Sequence, residues 1–159
     1  SDQLKKKNEY DNKKLYIFIT IDSHHNQNNW DVNNYIKIIS KIILYDVKIF
    51  INFAPSKLNF LEKFPKKIID SNKVSFTHDK SILEIMNIIN SCDIVIGNET
   101  GPICLGASLK KEVHSIYIPV HTRPESQIIS SKNFYYNIDK ENDETIIEKI
   151  TKNILIKIL

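Results

Sequence analysis

The stretch Cys92-Asp-Ile-Val-Ile-Gly-Asn-Glu-Thr-Gly-Pro-Ile-Cys-Leu-Gly-Ala107 decides the fold, because it holds all 3 glycines of a 159-residue chain. Asp93 to Ile96 reads as a buried strand, Gly97 to Gly101 as a turn, and Pro102 to Leu109 as a helix. A proline suits such a start, since the amide it lacks would have no partner in a first turn. At the carboxyl end of a parallel strand, this turn points unpaired amides and the positive end of the helix dipole at one spot. That spot suits a phosphate or diphosphate. Gly106 and Ala107, one turn further, let the helix lie close to the sheet. From the spacing alone a plainer reading prevails: any α/β domain needs glycines in its strand-to-helix turns, and the pattern is neither GxGxxG nor GxxxxGK[ST].

Outward from this stretch, short β-branched or aromatic runs alternate with segments at helical spacing, the signature of βαβ units. Leu15 to Ile21, Val47 to Phe53, Lys73 to Phe76, Val113 to Ile118 and Phe134 to Ile138 read as further strands. Asp31 caps a helix whose Val32, Tyr35, Ile36, Ile39 and Ile43 form one stripe. A weaker helix, Lys57 to Phe64, stops at Pro65. Ser81-Ile-Leu-Glu84 is a capping box, and its helix is expected to turn Ile82, Ile85, Met86 and Ile89 inward. A long final helix from Asn142 to Leu159 carries Ile146, Ile147, Ile150, Ile154 and Ile158 on one face. The expected fold is therefore α/β, a three-layer Rossmann-like domain over residues 15–159 with a mostly parallel sheet of about six strands.

Composition agrees: 42% hydrophobic and 26% charged residues describe a folded domain, neither disordered nor membrane-spanning. A net charge of +3 with interspersed signs gives no field that implies nucleic acid. Residues 1–14 are polar, with Lys5, Lys6 and Lys7 in a row, and read as a tail or linker. Cys92 and Cys104, without a signal peptide, read as reduced thiols of a cytoplasmic protein.

Asp93 to Ala107 resembles the (G)NDTGPxHLAA signature of the heptosyltransferase-like enzymes, glycosyltransferase family 9, and the capping-box helix before it resembles their "sLxE" lead-in. A looser match, Ile19-Thr-Ile-Asp-Ser-His-His-Asn-Gln-Asn-Asn-Trp30, is similar to the family's first strand, small-residue loop and "K-x-W-p" element. The resemblance implies one half of a GT-B architecture, the carboxyl-terminal domain that holds a nucleotide-sugar donor, ADP-sugar favoured. It would place Ser23 and Asn28 beside the donor diphosphate, build the diphosphate turn from Glu99, Thr100, Gly101, Pro102 and Cys104, and set Ile85 or Met86 near the adenine. It implies no cofactor and no metal. It also implies a glycan or lipid-linked acceptor, lipopolysaccharide among the choices, held by an amino-terminal domain that this chain lacks and that also carries the catalytic base. On its own the chain is then expected to be inactive, and to be cytoplasmic or peripheral at the inner face of the membrane. Three positions depart from the motif: Asn28 stands where the family has Lys, Glu99 where it has Asp, and Cys104 where it has His. No clear acidic counterpart of the family's ribose contact appears near Ala54-Pro-Ser-Lys57.

Other chemistry-bearing residues have modest readings. His24 and His25 are adjacent, so an extended chain points them to opposite faces, and no metal-ligand spacing surrounds them. Arg123, the one arginine, and His121 lie in a loop after the fifth strand, where a guanidinium fork could hold a donor sugar or phosphate. Asp22 reads as a turn former, Trp30 as an anchor for the first helix, and Cys104 as packing. Beside the donor-domain reading stands one of another class, a degenerate, non-catalytic module that binds a nucleotide or serves interaction.

Overall fold

A computed structural model describes residues 14–22, 29–118 and 132–159. Strands β1 (Leu15–Thr20), β2 (Val47–Asn52), β3 (Val74–Phe76), β4 (Ile94–Asn98), β5 (Glu112–Tyr117) and β6 (Asn133–Asn137) form one sheet in the order β3-β2-β1-β4-β5-β6. Every neighbouring pair runs parallel. Both faces of such a sheet must be covered, which is why the central strands β1 and β4 are apolar on both sides rather than alternating with polar residues.

Side-chain alternation sorts the core into two layers. Ile17 and Ile19 of β1, with Ile21 just beyond it, belong to one layer, where α1 (Val32–Ile42) and α5 (Asp143–Ile158) pack against each other. Phe18 points to the other, with Val95 of β4, Ile88 and Ile89 of α3 (Ile82–Ser91) and Ile103 of α4 (Gly101–Ser108). The isoleucine stripe of α5 is as expected: Ile146, Ile147, Ile150 and Ile154 are fully buried.

The caps explain where helices begin. Asp31 accepts from the Asn33 amide at α1, and at α3 both arms of the capping box close, with Glu84 N donating to Ser81 Oγ and Ser81 N to Glu84 Oε2. The α3 face, however, differs from expectation. Ile89 is buried and Ile85 half-buried as expected, but Ile82 is 79% and Met86 41% exposed, and Ile88 is buried in their place. The helix is apolar almost all round, so several stripes could have faced inward; the sheet takes the one C-terminal to the capping turn.

The segment after β2 also departs. Pro55–Lys63 is a 3-10 helix broken at Lys57, and a separate four-residue α2 (Lys66–Ile69) follows Pro65. Pro65 ends one helix and opens the next, because its fixed φ suits a helix start and its ring disfavours helix before it. Gly97 and Asn98 belong to β4 rather than to the turn. Gly97 is paired with Thr20, where a Cβ would lie 2.4 Å from the Thr20 carbonyl oxygen, so this glycine serves the contact between the central strands. Among the described residues no helix is long and apolar enough to cross a membrane.

Candidate functional site

The strand order changes direction between β1 and β4, whose carboxyl ends lie side by side through the Thr20–Gly97 pair. In open α/β sheets the crevice at such a switch point is where ligands bind. One wall is the turn Glu99–Thr100 leading into α4; the other is formed by Ile21 and Asp22 just beyond β1 and by Asn29 and Trp30 before α1.

Asn98, at the end of β4 and 1% exposed, fastens the two walls together. Its Oδ1 accepts from the Trp30 amide at 3.0 Å and from the Tyr35 hydroxyl at 2.9 Å, and its Nδ2 donates to Asn29 Oδ1 at 3.4 Å. Burial pushes the Tyr35 hydroxyl well above the ordinary tyrosine range, so it stays a donor. Trp30 anchors α1 as expected: it is buried, packs edge-on against Tyr35, and donates from Nε1 to Asp143 Oδ1 at 2.8 Å. Sequence reasoning passed over Asn98, since a single asparagine at a strand end carries no signature and its partners lie more than sixty residues away.

The turn itself presents hydrogen-bonding groups that the helix after it does not use. Thr100 occupies the cap position of α4 but makes no side-chain cap hydrogen bond. Its Oγ1 is shielded from solvent with no hydrogen-bond partner among the described residues. The first-turn amides of a helix have no partners inside it, and here Thr100 supplies none. Gly101 keeps an ordinary negative φ, and a Cβ built on it meets nothing within 4 Å. Neither backbone conformation nor packing requires that glycine, so its missing side chain leaves room over the helix start. Gly106 behaves differently: a Cβ there would come within 2.8 Å of Val95, so it lets α4 rest on the sheet as expected.

Of the sequence-predicted site residues, Glu99, Thr100, Gly101, Pro102 and Cys104 come together in this turn and the first turn of α4. Cys104 is exposed, which corrects its reading as a packing residue. Partial burial pushes its thiol up, and the nearby Glu99 carboxylate adds to this, so it is a protonated, weak donor rather than a nucleophile. Tyr135 of β6, absent from the sequence reading, lies in the same electrostatic neighbourhood: burial raises its hydroxyl, with Glu99 and Cys104 contributing. Ile85 is half-buried in the apolar layer beside α4, and Met86 is exposed on α3. Ser23, His24, His25, Asn28, His121 and Arg123 lie outside the described residues. Asp22 does more than form a turn: its Oδ2 accepts from the Ala54 amide at 2.9 Å and lies 3.6 Å from Lys57 Nζ, tying the end of β1 to the chain after β2. Among the described residues no three His, Cys, Asp or Glu side chains group as metal ligands.

The family described as "Glycosyltransferase family 9 (heptosyltransferase)" matches residues 1–151. No curated protein sequence matches the chain. Among solved structures, Escherichia coli ADP-heptose lps heptosyltransferase II superposes with a TM-score of 0.71 at 12% identity, covering 91% of this chain and 47% of that one. E. coli heptosyltransferase WaaC with ADP-2-deoxy-2-fluoro heptose gives 0.69 at 12% identity, over 88% of this chain and 44% of that one. A glycosyl transferase family 9 structure from Veillonella parvula gives 0.64 at 16% identity, over 89% and 39%. The chain thus spans less than half the length of these structures, and at such identities the likeness concerns the fold.

Proposed function

The chain belongs to glycosyltransferase family 9, and on that premise we propose that it is the nucleotide-sugar-binding half of a GT-B glycosyltransferase, with an ADP-sugar as donor. The observation that carries this reading is the uncapped start of α4 at the switch point, where the shielded Thr100 Oγ1 stands beside the open space over Gly101. The amides of Gly101 and Ile103 and the Thr100 hydroxyl are the donors for the diphosphate oxygens, and the helix dipole favours the negative charge. Their effect is greatest on the leaving diphosphate, whose charge grows as the bond breaks. The acceptor hydroxyl oxygen bonds to the anomeric carbon from the opposite side while the carbon–oxygen bond to the diphosphate breaks, so the centre inverts. The hydroxyl proton passes to a base on another domain, which also binds the acceptor, a lipopolysaccharide or other glycan. Ser23 and Asn28 belong to the diphosphate side of the site, His121 and Arg123 to the sugar side, and Ile85 with Met86 to the nucleoside.

Calorimetric titration with ADP, with UDP and GDP as controls, tests this. Saturable binding selective for ADP, lost in Gly101→Phe, is the expected result; no binding of any nucleotide at millimolar concentration would overturn it for this chain.

One observation favours a second reading, a non-catalytic nucleotide-binding or interaction module. Cys104 offers the first turn of α4 only a weak donor, and Glu99 brings a negative charge to the same turn. The pair of substitutions Asn28→Lys and Cys104→His discriminates: ADP affinity rises if the site is a donor site, and barely changes if it has been remodelled.

A further inference from the structure

The amino edge of the sheet, opposite the crevice, ends in an exposed apolar surface. Leu44, in the turn from α1 to β2, is 78% exposed, and Ile156, in the last turn of α5, is 65% exposed. Between the C-terminal halves of these helices runs a trough of about 480 Å³, with Lys41, Lys152, Leu155 and Ile156 in its lining. The packing dictates this placement. The two helices are joined near their starts, where Trp30 Nε1 donates to Asp143 Oδ1 and Lys37 Nζ to Glu144 Oε1, so their ends meet at the amino edge. Lys157, 3.1 Å from Glu112 at the start of β5, fixes the end of α5 there.

The charge around this surface is mostly positive. Along α5 the acids Asp143, Glu144 and Glu148 precede the lysines Lys149, Lys152 and Lys157. Lys149 and Lys157 are committed to Glu141 and Glu112. Lys41 and Lys152, one on each wall of the trough, are exposed and enter no ion pair among the described residues. Lys73 adds a charge beside Leu44, where its ammonium donates to the Ile43 and Tyr45 carbonyls. Burial, and then the charge of nearby Lys14, push the Lys48 ammonium down at the same edge. Against these stand Glu148 in the trough and exposed Asp46 in the turn. The chain also enters here, with the Leu15 amide donating to the Asp46 carbonyl at 3.2 Å. The sequence leading into it carries Lys5, Lys6, Lys7 and Lys13 against Asp2, Glu9 and Asp11.

Protruding aliphatic side chains ringed by lysines match the boundary of an anionic bilayer. Alkyl groups reach below the headgroups there while ammonium groups stay at the phosphates. A second copy of the chain fits less well, because a two-fold contact sets the same lysines against each other.

We propose that this end of the α1–α5 layer docks the domain on an anionic lipid bilayer, with Leu44 and Ile156 in the interface and Lys41 and Lys152 at the lipid phosphates. Each contribution is small, so the contact is peripheral and reversible. The crevice at the opposite edge then faces away from the lipid. The inference rests on no part of the donor-site reading.

The test is co-sedimentation of the full chain with vesicles of phosphatidylglycerol and phosphatidylcholine in equal parts, beside vesicles of phosphatidylcholine alone. Saturable binding to the mixed vesicles, lost at about 0.5 M salt, and none to the neutral ones is expected. Ile156→Gln weakens it about tenfold, and Lys41→Gln combined with Lys152→Gln about twentyfold. Ile82→Gln, at a comparably exposed apolar position on α3, leaves it unchanged. All these positions are exposed, so the variants keep the fold. No binding to the mixed vesicles, equal binding to the neutral ones, or unchanged affinity in either the Ile156 or the lysine variant would overturn the proposal. Binding that survives those variants but fails with Lys5→Gln, Lys6→Gln and Lys7→Gln together belongs to the leading segment and overturns it too. Sedimentation velocity without lipid covers the remaining occupant: a dimer abolished by Ile156→Gln would reassign the surface to a second copy. ADP titration needs no vesicles, so failure here and failure of the donor reading are distinguishable.

Discussion

The three glycines concentrated between residues 97 and 106 show how one residue type answers three different demands. At Gly97 the demand is steric and central: an added Cβ would lie 2.3 Å from Thr20 Cγ2 and 2.4 Å from the Thr20 carbonyl oxygen. The backbone atom cannot swing aside, so Gly97→Ala must part the two middle strands of the sheet. We expect a loss of more than about 3 kcal/mol in denaturant unfolding, or no folded protein. At Gly101 nothing stands within 4 Å and φ is negative, so Gly101→Ala is expected to leave stability within about 0.5 kcal/mol or raise it slightly, alanine being the better helix former. Equal destabilisation by the two substitutions would show that the space over Gly101 is not open. The sequence displays all three glycines but not what approaches each, which is why its reading of Gly97 as part of a phosphate turn fails while Gly101 keeps that candidacy. Asn98 was illegible for the same reason, because its importance lies in the Trp30 and Tyr35 groups that converge on it.

Elements were legible where a local signal and the tertiary demand coincide. The capping box at Ser81 and Glu84, the Asp31 cap and the isoleucine stripe of α5 are short-range patterns, and each appears where it was read. The face of α3 was not, since a helix with apolar residues on most sides carries no single stripe for periodicity to find. The break at Lys57 and the small α2 were hidden by competition between two prolines and a weak apolar pattern. The docking of α5 on β5 carries its own prediction. His114, fully buried, accepts or donates through Nδ1 to the Tyr136 hydroxyl at 2.7 Å and stacks on Phe134. Its Nε2 lies 3.4 Å from Glu112 Oε2, and Lys157 of α5 lies 3.1 Å from Glu112 Oε1. Burial pushes the Glu112 carboxyl up, but the His114 contact and Lys157 outweigh it, and the net shift is downward. A depressed carboxyl contributes stability above its unfolded pKa of about 4.3, and that contribution is lost as pH falls through the lower folded value. Urea unfolding across this acid range should therefore show the parent losing more stability than Glu112→Gln, which starts less stable at neutral pH. Parallel pH profiles for the two would mean that the pairs seen around Glu112 contribute nothing in solution.

At the scale of the molecule, alternating strands and helices make a parallel sheet legible, but the order β3-β2-β1-β4-β5-β6 is not, because pairing β1 with β4 joins segments more than seventy residues apart by apolar contacts that many strands could offer. That order is nevertheless what creates the site. It divides the sheet into a half built from β1 to β3 and a half built from β4 to β6, with the crevice over their seam. A nucleotide held by α4 alone would touch one half; a nucleotide seated in the crevice touches both and opposes their separation. Ligand that binds only the folded chain stabilises it by about 2.7 kcal/mol at a hundredfold excess over Kd. For a domain of this size that corresponds to a rise in Tm of about 5–10 °C. The donor-site reading therefore predicts such a rise with ADP, absent in Gly101→Phe, accompanied by slower amide exchange at the carboxyl ends of both β1 and β4. Slower exchange confined to α4 would place the nucleotide on one wall only, and calorimetric binding without any thermal shift would mean that the ligand does not recognise the folded seam.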